Sequence, residues 1–181
     1  RKLPCVKGAS PVFLTRHFQD KSENWRLSKR GPVHFFSCPL PGKKQLMKIN
    51  MAFDRVTAYV QARGDALTWS AEEIIYDFLQ VLFIQYLALR KKGIICHSMG
   101  IRQPDGSGLL FCGRSGAGKS TMARLWYRAG TAQVVNDDRV IVRRKQGGFY
   151  IFGSPWHGEF SDYLRTLAGP ARLTGLFFIY H

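Results

Sequence analysis

The sequence predicts an α/β fold in which a core with β-hairpins follows a small antiparallel β segment. Three observations predict it. A glycine-rich loop separates an apolar, strand-like run from a helix-like segment in the second half of the chain. Strand-like segments there are joined by short turns that contain glycine, which is typical of hairpins. Short strand candidates also precede residue 69. We therefore expect a basic, β-rich segment over residues 1–69 and a core over residues 70–181, truncated at its C-terminus.

The N-terminal segment is predicted from local pattern alone. Residues 1–32 are polar, basic and weakly patterned, so no strand is predicted there. Segments 33–38, 45–51 and 56–61 have the composition of strands, and the prolines and glycine of 39–42 indicate a turn. These segments predict a small antiparallel sheet.

A helix is predicted next. Ser70 and Glu73 fit a capping box, in which the two side chains bond backbone N–H groups of the first turn before an apolar run. We expect this helix to run to about Lys92 and to end at Gly93. Asp77 interrupts the apolar stretch, so a buried helix is predicted rather than a membrane span.

Two strand candidates, 94–101 and 109–112, flank a turn at 104–108 and predict a hairpin. If the turn centres between Asp105 and Gly106, the strands pair so that His97 lies opposite residue 114.

The loop after this hairpin carries the most specific motif of the chain. It matches the Walker A (P-loop) pattern G-x-x-x-x-G-K-[ST] with Gly113, Arg114, Ser115, Gly116, Ala117, Gly118, Lys119, Ser120 and Thr121. Backbone N–H groups of such a loop wrap the phosphates of a nucleotide, the lysine reaches the outer phosphates, and the serine ligates Mg²⁺. The motif predicts binding of ATP, or of GTP, with Mg²⁺. The alternative is a glycine-rich turn that binds nothing.

The rest of the core follows in order. It consists of a helix over 120–128 that ends at Gly130, a strand over 133–136, a hairpin of 139–144 with 149–152, and an apolar strand over 175–181. Asp137 and Asp138 come directly after the 133–136 strand. Next to a nucleotide, one such carboxylate binds the metal while the other takes a proton from the attacking hydroxyl. The alternative is an Asx turn into the next strand.

Two histidines are candidates for the same site. His97 would lie beside the phosphates through the hairpin and could stabilise charge on the transferred group, although a lone histidine in a strand is more often a core residue. His157 lies in a glycine-bounded loop and is a candidate for substrate contact.

The order of these motifs resembles the C-terminal domain of the HPr kinase/phosphorylase family, especially the HPr-serine-kinase-like proteins, whose fold is related to that of the phosphoenolpyruvate carboxykinases. The resemblance covers residues 70–181 and is carried by His97, loop 113–121, and segments 135–139 and 153–156. Residues 1–69 carry no matching motif.

The resemblance implies roles for individual residues. Asp137 matches the general base, His97 matches an active-site histidine, and Ser120 with Asp138 would hold Mg²⁺. HPr kinases are hexamers, which implies a homo-oligomer. Thr121 stands where HPr kinases usually have Glu, so neither the phosphorylase reaction nor HPr as substrate is implied.

The predicted function is therefore phosphoryl transfer from ATP to a serine, or another hydroxyl, of a protein or peptide, with Lys119, Asp137 and His97 as catalytic residues. Two alternatives remain open. One is a kinase of a small molecule, and the other is a nucleotide-binding regulatory or assembly module with little catalysis.

Charge and cysteine content bear on partners and location. The net charge is +15, from 27 Lys and Arg against 12 Asp and Glu, which fits an acidic acceptor or simply a solvated basic surface. No base-stacking motif accompanies the charge, so nucleic acid is not the expected partner. The four cysteines show no metal-ligand spacing and indicate a reducing cytoplasm.

Overall fold

The computed structural model describes residues 3, 6–16, 23–40, 43–52, 54–62, 79–162 and 168–180. It is a mixed α/β protein made mostly of strands, and its described residues form two sheets and two α-helices. The chain divides into two compact units, Arg1–Tyr86 and Leu87–His181. The boundary expected between residues 69 and 70 lies outside the described residues.

The first unit contains a five-stranded antiparallel sheet, with each strand paired to the next one along the chain. Its strands are β1 (Ser10–Arg16), β2 (Glu23–Arg30), β3 (Val33–Leu40), β4 (Lys43–Asn50) and β5 (Val56–Ala62). The predicted small antiparallel sheet is confirmed, and it also includes β1 and β2, which the weak patterning of residues 1–32 did not predict. In β2 apolar Trp25 and Leu27 alternate with Arg26 and Ser28, which is the period of a half-buried strand. This alternation was not recognised in the sequence because β2 also contains the basic residues Arg26, Lys29 and Arg30.

One face of this sheet packs against the helix α1 (Gln80–Leu89). Buried side chains of β2, β3 and β4 form one cluster with side chains from the start of α1. The cluster consists of Leu27, Phe36, Met47, Ile49, Val81 and Leu82. The helix is thus held by burial of apolar area.

The C-terminal end of α1 differs from the sequence-based expectation. The helix ends at Leu89 rather than near Lys92, because Lys91 adopts a left-handed conformation with φ of 48°. The N–H of Lys91 donates to the carbonyl of Ala88 at 3.0 Å, and the N–H of Lys92 to the carbonyl of Leu87 at 2.9 Å. These two bonds form a Schellman motif. The predicted capping box, Ser70 with Glu73, lies outside the described residues.

Gly93 is therefore not the residue that ends the helix. A Cβ at this position would lie 2.5 Å from the backbone oxygen of Val142, so a glycine is needed for the close approach of two chain segments.

Among the helices described here, none is long and apolar enough to cross a membrane.

The second unit is built on a six-stranded sheet that closes on itself. Its elements are β6 (Ile94–Arg102), β7 (Ser107–Gly113), α2 (Lys119–Ala129), β8 (Gln133–Asn136), β9 (Arg139–Lys145), β10 (Gly148–Phe152) and β11 (Ala171–Ile179). The pairings β6–β7, β7–β11, β11–β10, β10–β9 and β9–β6 form a ring, and β8 pairs with β6 beside β9. Both predicted hairpins, β6–β7 and β9–β10, are confirmed as antiparallel pairs.

The register of the β6–β7 hairpin differs by one residue from the expected one. Ser98 pairs with Cys112, so His97 does not face residue 114. The turn centres on Asp105, whose carboxylate accepts the N–H of Ser107 at 2.9 Å, rather than on the bond between Asp105 and Gly106. The N–H of Gln103 donates to the carbonyl of Ser107 at 2.8 Å, and Gly106 takes a φ of 82°. The loop therefore contains three residues, and this odd number shifts the register.

Helix α2 packs on the outer side of β6, β7 and β8 and forms one cluster with them through Met99, Phe111, Ala123 and Val134. A second cluster, including Leu110, Val140 and Ile151, fills the inside of the ring. Because β7 and β8 both run antiparallel to β6, their C-terminal ends meet at the same edge of the sheet. The candidate site lies at that edge.

Candidate functional site

The loop between β7 and α2 has the backbone that its glycines allow. Gly116 and Gly118 take φ values of 82° and 89°, which side-chain-bearing residues rarely adopt. Gly118 is the N-cap of α2 and provides no side-chain hydrogen bond to the first turn. The backbone N–H groups in the first turn of α2 therefore receive no hydrogen bond from a capping side chain. The positive end of the helix dipole also lies at the start of α2. This arrangement favours an anion.

Lys119 is enclosed by the loop that contains it. Its side chain is buried, and Nζ donates to the carbonyls of Gly113 and Arg114, each at 2.8 Å. Among the described residues, no carboxylate pairs with this ammonium group. A buried cation without a counter-ion is costly, so its positive charge is available to a bound phosphate.

Asp137 follows β8 and faces the start of α2. It is 1% exposed, and its Oδ2 accepts the hydroxyl of Ser120 at 3.4 Å. The backbone N–H groups of Gly158 and Phe160 donate to its two carboxylate oxygens at 2.8 and 3.3 Å. Asp137 is therefore the carboxylate that lies next to Ser120, where the sequence had predicted Asp138.

Asp138 points elsewhere. Its Oδ1 lies 2.7 Å from Nδ1 of His97, and its Oδ2 lies 3.3 Å from Nε of Arg139. The histidine is 54% exposed and the aspartate 16%, so solvent reaches this pair. Strands β8 and β9 both pair with β6, and the chain turns between them at Asp137 and Asp138. We call this turn the break; because of it, the two neighbouring carboxylates point in different directions.

Asn136 stabilises the turn between β8 and β9, and the sequence analysis did not identify it as a residue of the site. Its Oδ1 accepts the N–H groups of Asp138 and Arg139 at 2.9 and 2.7 Å, which is an Asx turn. Its Nδ2 donates to the carbonyls of Ser154 and Trp156 at 3.1 and 2.9 Å. An asparagine at a strand end before two aspartates is the signal that could have identified it. The side chain ties loop 153–158 to the aspartate pair.

His157 lies beside this contact. Its Nδ1 is 2.8 Å from the carbonyl oxygen of Gly158, the residue whose N–H binds Asp137. The structure thus brings the loop, Ser120, Asp137 and loop 153–158 together. It places His97 with Asp138 on the other side of the break.

Two cysteines lie near the loop but are not suited to nucleophilic chemistry. Burial raises the pKa of the Cys112 thiol, against the opposing effect of Lys119, and burial together with Cys112 raises the pKa of Cys96. A thiol with a raised pKa is a poor source of thiolate.

Comparison with known proteins assigns no family to this arrangement. No family model matches the chain, and no curated protein matches it.

Within the described part of the chain, no group of three or more His, Cys, Asp or Glu side chains is placed to hold a metal ion. A metal at this edge would therefore take its oxygen ligands from a hydroxyl, a carboxylate, a nucleotide and water.

Proposed function

We propose that this protein transfers the γ-phosphoryl group of a nucleoside triphosphate to a serine, or another hydroxyl, of a protein or peptide. The observation that carries the proposal is the meeting of three parts at one sheet edge. These are the loop around buried Lys119, the Ser120–Asp137 contact at 3.4 Å, and the pair formed by exposed His97 and partly buried Asp138 at 2.7 Å.

The loop 113–121 is proposed to bind the phosphates. Its backbone N–H groups and the α2 dipole attract the anion, and Lys119 exchanges its two carbonyl partners for phosphate oxygens. Because these groups recognise phosphate rather than a base, ATP and GTP are both candidate donors.

Ser120 and Asp137 are proposed as the residues that hold Mg²⁺. A hydroxyl and a carboxylate oxygen 3.4 Å apart are the hard oxygen ligands that this ion prefers. Bound there, Mg²⁺ would neutralise charge that develops on the phosphates. This assignment uses Asp137 in place of Asp138, the metal ligand expected from the sequence, because Asp137 is the aspartate that contacts Ser120.

Asp138 is then proposed as the base. A base must meet a hydroxyl that arrives from solvent, and Asp138 with His97 is accessible whereas Asp137 is enclosed by the segment at Gly158. The acceptor oxygen bonds to the γ-phosphorus as the bond to the β–γ bridging oxygen breaks. The hydroxyl proton passes to the carboxylate, and the nucleoside diphosphate leaves.

The test is phosphate transfer from γ-labelled ATP with Mg²⁺ to a set of synthetic serine peptides, read as labelled phosphoserine. In Asp138→Asn we expect transfer to fall by about 10²–10⁴-fold while nucleotide binding is kept. In Asp137→Asn we expect both transfer and the Mg²⁺ dependence of nucleotide binding to be lost. Asp162→Asn removes an exposed carboxylate of the same unit and should change neither.

Two outcomes would contradict parts of the proposal. Full transfer by Asp138→Asn, with none by Asp137→Asn and nucleotide binding intact, would make Asp137 the base, as the sequence resemblance implies. Tight ATP binding by the unmodified chain, without any labelled acceptor or released phosphate, would instead indicate a regulatory nucleotide-binding module.

A further inference from the structure

A row of cationic and aromatic side chains lies on one face of β9, β10 and β11. Tyr150 pairs with Arg143 on one side and with Arg172 on the other, so these three side chains share a face. Lys145 and Phe152 lie two residues away on their own strands and therefore project from the same face. We call this surface the basic strip: Arg143, Lys145, Tyr150, Phe152 and Arg172.

The cations of the basic strip are held against the rings. The guanidinium of Arg143 lies 5.6 Å from the centre of the Phe152 ring. The ammonium of Lys145 lies 5.6 Å from the centre of the Tyr150 ring and 4.9 Å from that of Phe152. Such cation–π contacts fix long side chains that would otherwise be mobile. The positive charges therefore have defined positions before any ligand arrives.

In the part of the chain that the structure describes, these charges have carbonyl partners rather than acidic ones. Within the described residues, none of Arg143, Lys145 and Arg172 pairs with a carboxylate; Arg143 and Arg172 instead donate to the carbonyls of Lys92 and Gly147. The sequence from residue 139 to residue 158 contains no Asp or Glu. An uncompensated positive surface of this kind attracts an acidic partner.

The basic strip leads to the candidate site. Strand β9 begins at Arg139, which contacts Asp138, and runs outward to Lys145. At about 3.3 Å per residue, Lys145 lies roughly 20–25 Å from Asp138 along the strand. At the end of β10, the chain continues into loop 153–158, which Asn136 ties back to the aspartate pair.

We propose that the basic strip docks an acidic, extended segment of the acceptor protein and thereby delivers a hydroxyl several residues away to Asp138. The proposal rests on the function proposed above and specifies the class of acceptor. Arg143 and Lys145 are two residues apart on one strand, which corresponds to a spacing of about 7 Å. An extended peptide repeats its side chains at the same interval, so acidic residues at alternate positions match both cations.

The rings of the basic strip argue for a peptide rather than a nucleic acid. Proteins that bind single strands need aromatic faces on which bases stack. Here Arg143 and Lys145 already lie over the faces of Phe152 and Tyr150.

The experiment measures binding without catalysis, by fluorescence anisotropy of a labelled peptide in which Asp alternates with Gly after a single Ser. We expect the unmodified full chain to bind it, and Arg143→Glu/Lys145→Glu to weaken binding at least tenfold. Replacing Arg143 with Glu reverses its charge but also removes its contacts with Phe152 and Lys92. The single variant Lys145→Glu is therefore measured as well. It should weaken binding by a factor of about 3–10, the effect of one rim charge. The far-ultraviolet circular dichroism spectrum of each variant, compared with that of the unmodified chain, checks that it is folded.

The matched control is Lys48→Glu/Arg55→Glu, which makes the same change in net charge at two exposed residues of the first unit. It should leave peptide affinity within twofold of the unmodified chain. Equal weakening by the control, no peptide binding at all, or tighter binding of a labelled single-stranded DNA would each overturn the proposal. Peptide binding is read without transfer, so its failure is separate from failure of the kinase reaction.

Discussion

Gly158 is the residue at which one added methyl group would disturb the candidate site most directly. A Cβ there would lie 2.6 Å from Oδ2 of Asp137 and 3.4 Å from Oγ of Ser120. The backbone N–H of the same residue donates to Asp137 at 2.8 Å. In the proposed reaction, Gly158 is therefore a positioning residue, because it would act on the substrate only through the carboxylate that it contacts.

We predict that Gly158→Ala lowers phosphoryl transfer at least tenfold and raises the Mg²⁺ concentration needed for half-maximal rate, since Asp137 must move away from Ser120. Overpacking of this kind costs about 1–3 kcal/mol of stability. The measurement is a Mg²⁺ titration of the transfer rate. Gly169→Ala is the control, because a Cβ there meets nothing within 4 Å. An unchanged Mg²⁺ dependence in Gly158→Ala would contradict the role given to Asp137.

The residues that the sequence motif and the aspartate pair predicted for a site lie close together in the structure, but the sequence did not indicate which side chains are in contact. The motif and the aspartate pair were visible because their spacing is local. Which aspartate faces Ser120 is decided by the break between β8 and β9 and by the bonds of Asn136. The Ser120–Asp137 contact and the bonds from Asn136 to Ser154 and Trp156 join residues 17 to 20 positions apart, so the local spacing of residues does not reveal them.

At the scale of elements, the pair of β2 and β3 contains a buried titratable group. His34 is 8% exposed and pairs across the strands with Lys29. Burial lowers the pKa of His34, and the positive charge of Lys29 lowers it further. Below the ordinary histidine pKa of about 6.5, the unfolded chain binds a proton at this residue that the folded chain resists.

We therefore predict that His34 contributes to a loss of stability as the pH falls below about 6.5, with the full stability present above it. In His34→Gln the side chain stays neutral, so the drop in the thermal midpoint between about pH 7.5 and pH 5 should be smaller than in the unmodified chain. Thermal unfolding by calorimetry measures both drops. Equal drops in the two proteins would show that His34 does not titrate on unfolding.

The hairpins show what the sequence can predict about elements. Glycine-containing turns between apolar runs located β6–β7 and β9–β10 correctly. The register of β6–β7 was wrong by one residue because the loop contains three residues, with Gly106 at a positive φ, where an even number had been expected. The end of α1 was placed too late because Lys91, rather than Gly93, adopts the left-handed conformation that ends the helix.

At the scale of the whole molecule, the two units differ in how much the sequence revealed. In the second unit, apolar runs and glycine turns predicted every strand from β6 to β10 to within a few residues. In the first unit, β1 and β2 were missed for different reasons. The apolar residues of β1 form a short run, Val12 to Leu14, without alternation, and the alternation of β2 is carried by two apolar residues beside three basic ones. Closure of the second sheet through β7–β11 also could not be predicted, since it joins strands about sixty residues apart in sequence.

Calorimetric titration of the full chain with ATP and Mg²⁺ measures whether the loop around Lys119 binds the phosphates of a nucleotide, on which the proposed function depends. We predict a dissociation constant between about 1 μM and 1 mM, with AMP binding much more weakly because it lacks the outer phosphates. Lys119→Met should weaken ATP binding at least tenfold, whereas Lys48→Met, at an exposed lysine of the first unit, should leave it unchanged. Absence of ATP binding, or equal affinity for ATP and AMP that Lys119→Met does not alter, would contradict phosphate binding by this loop.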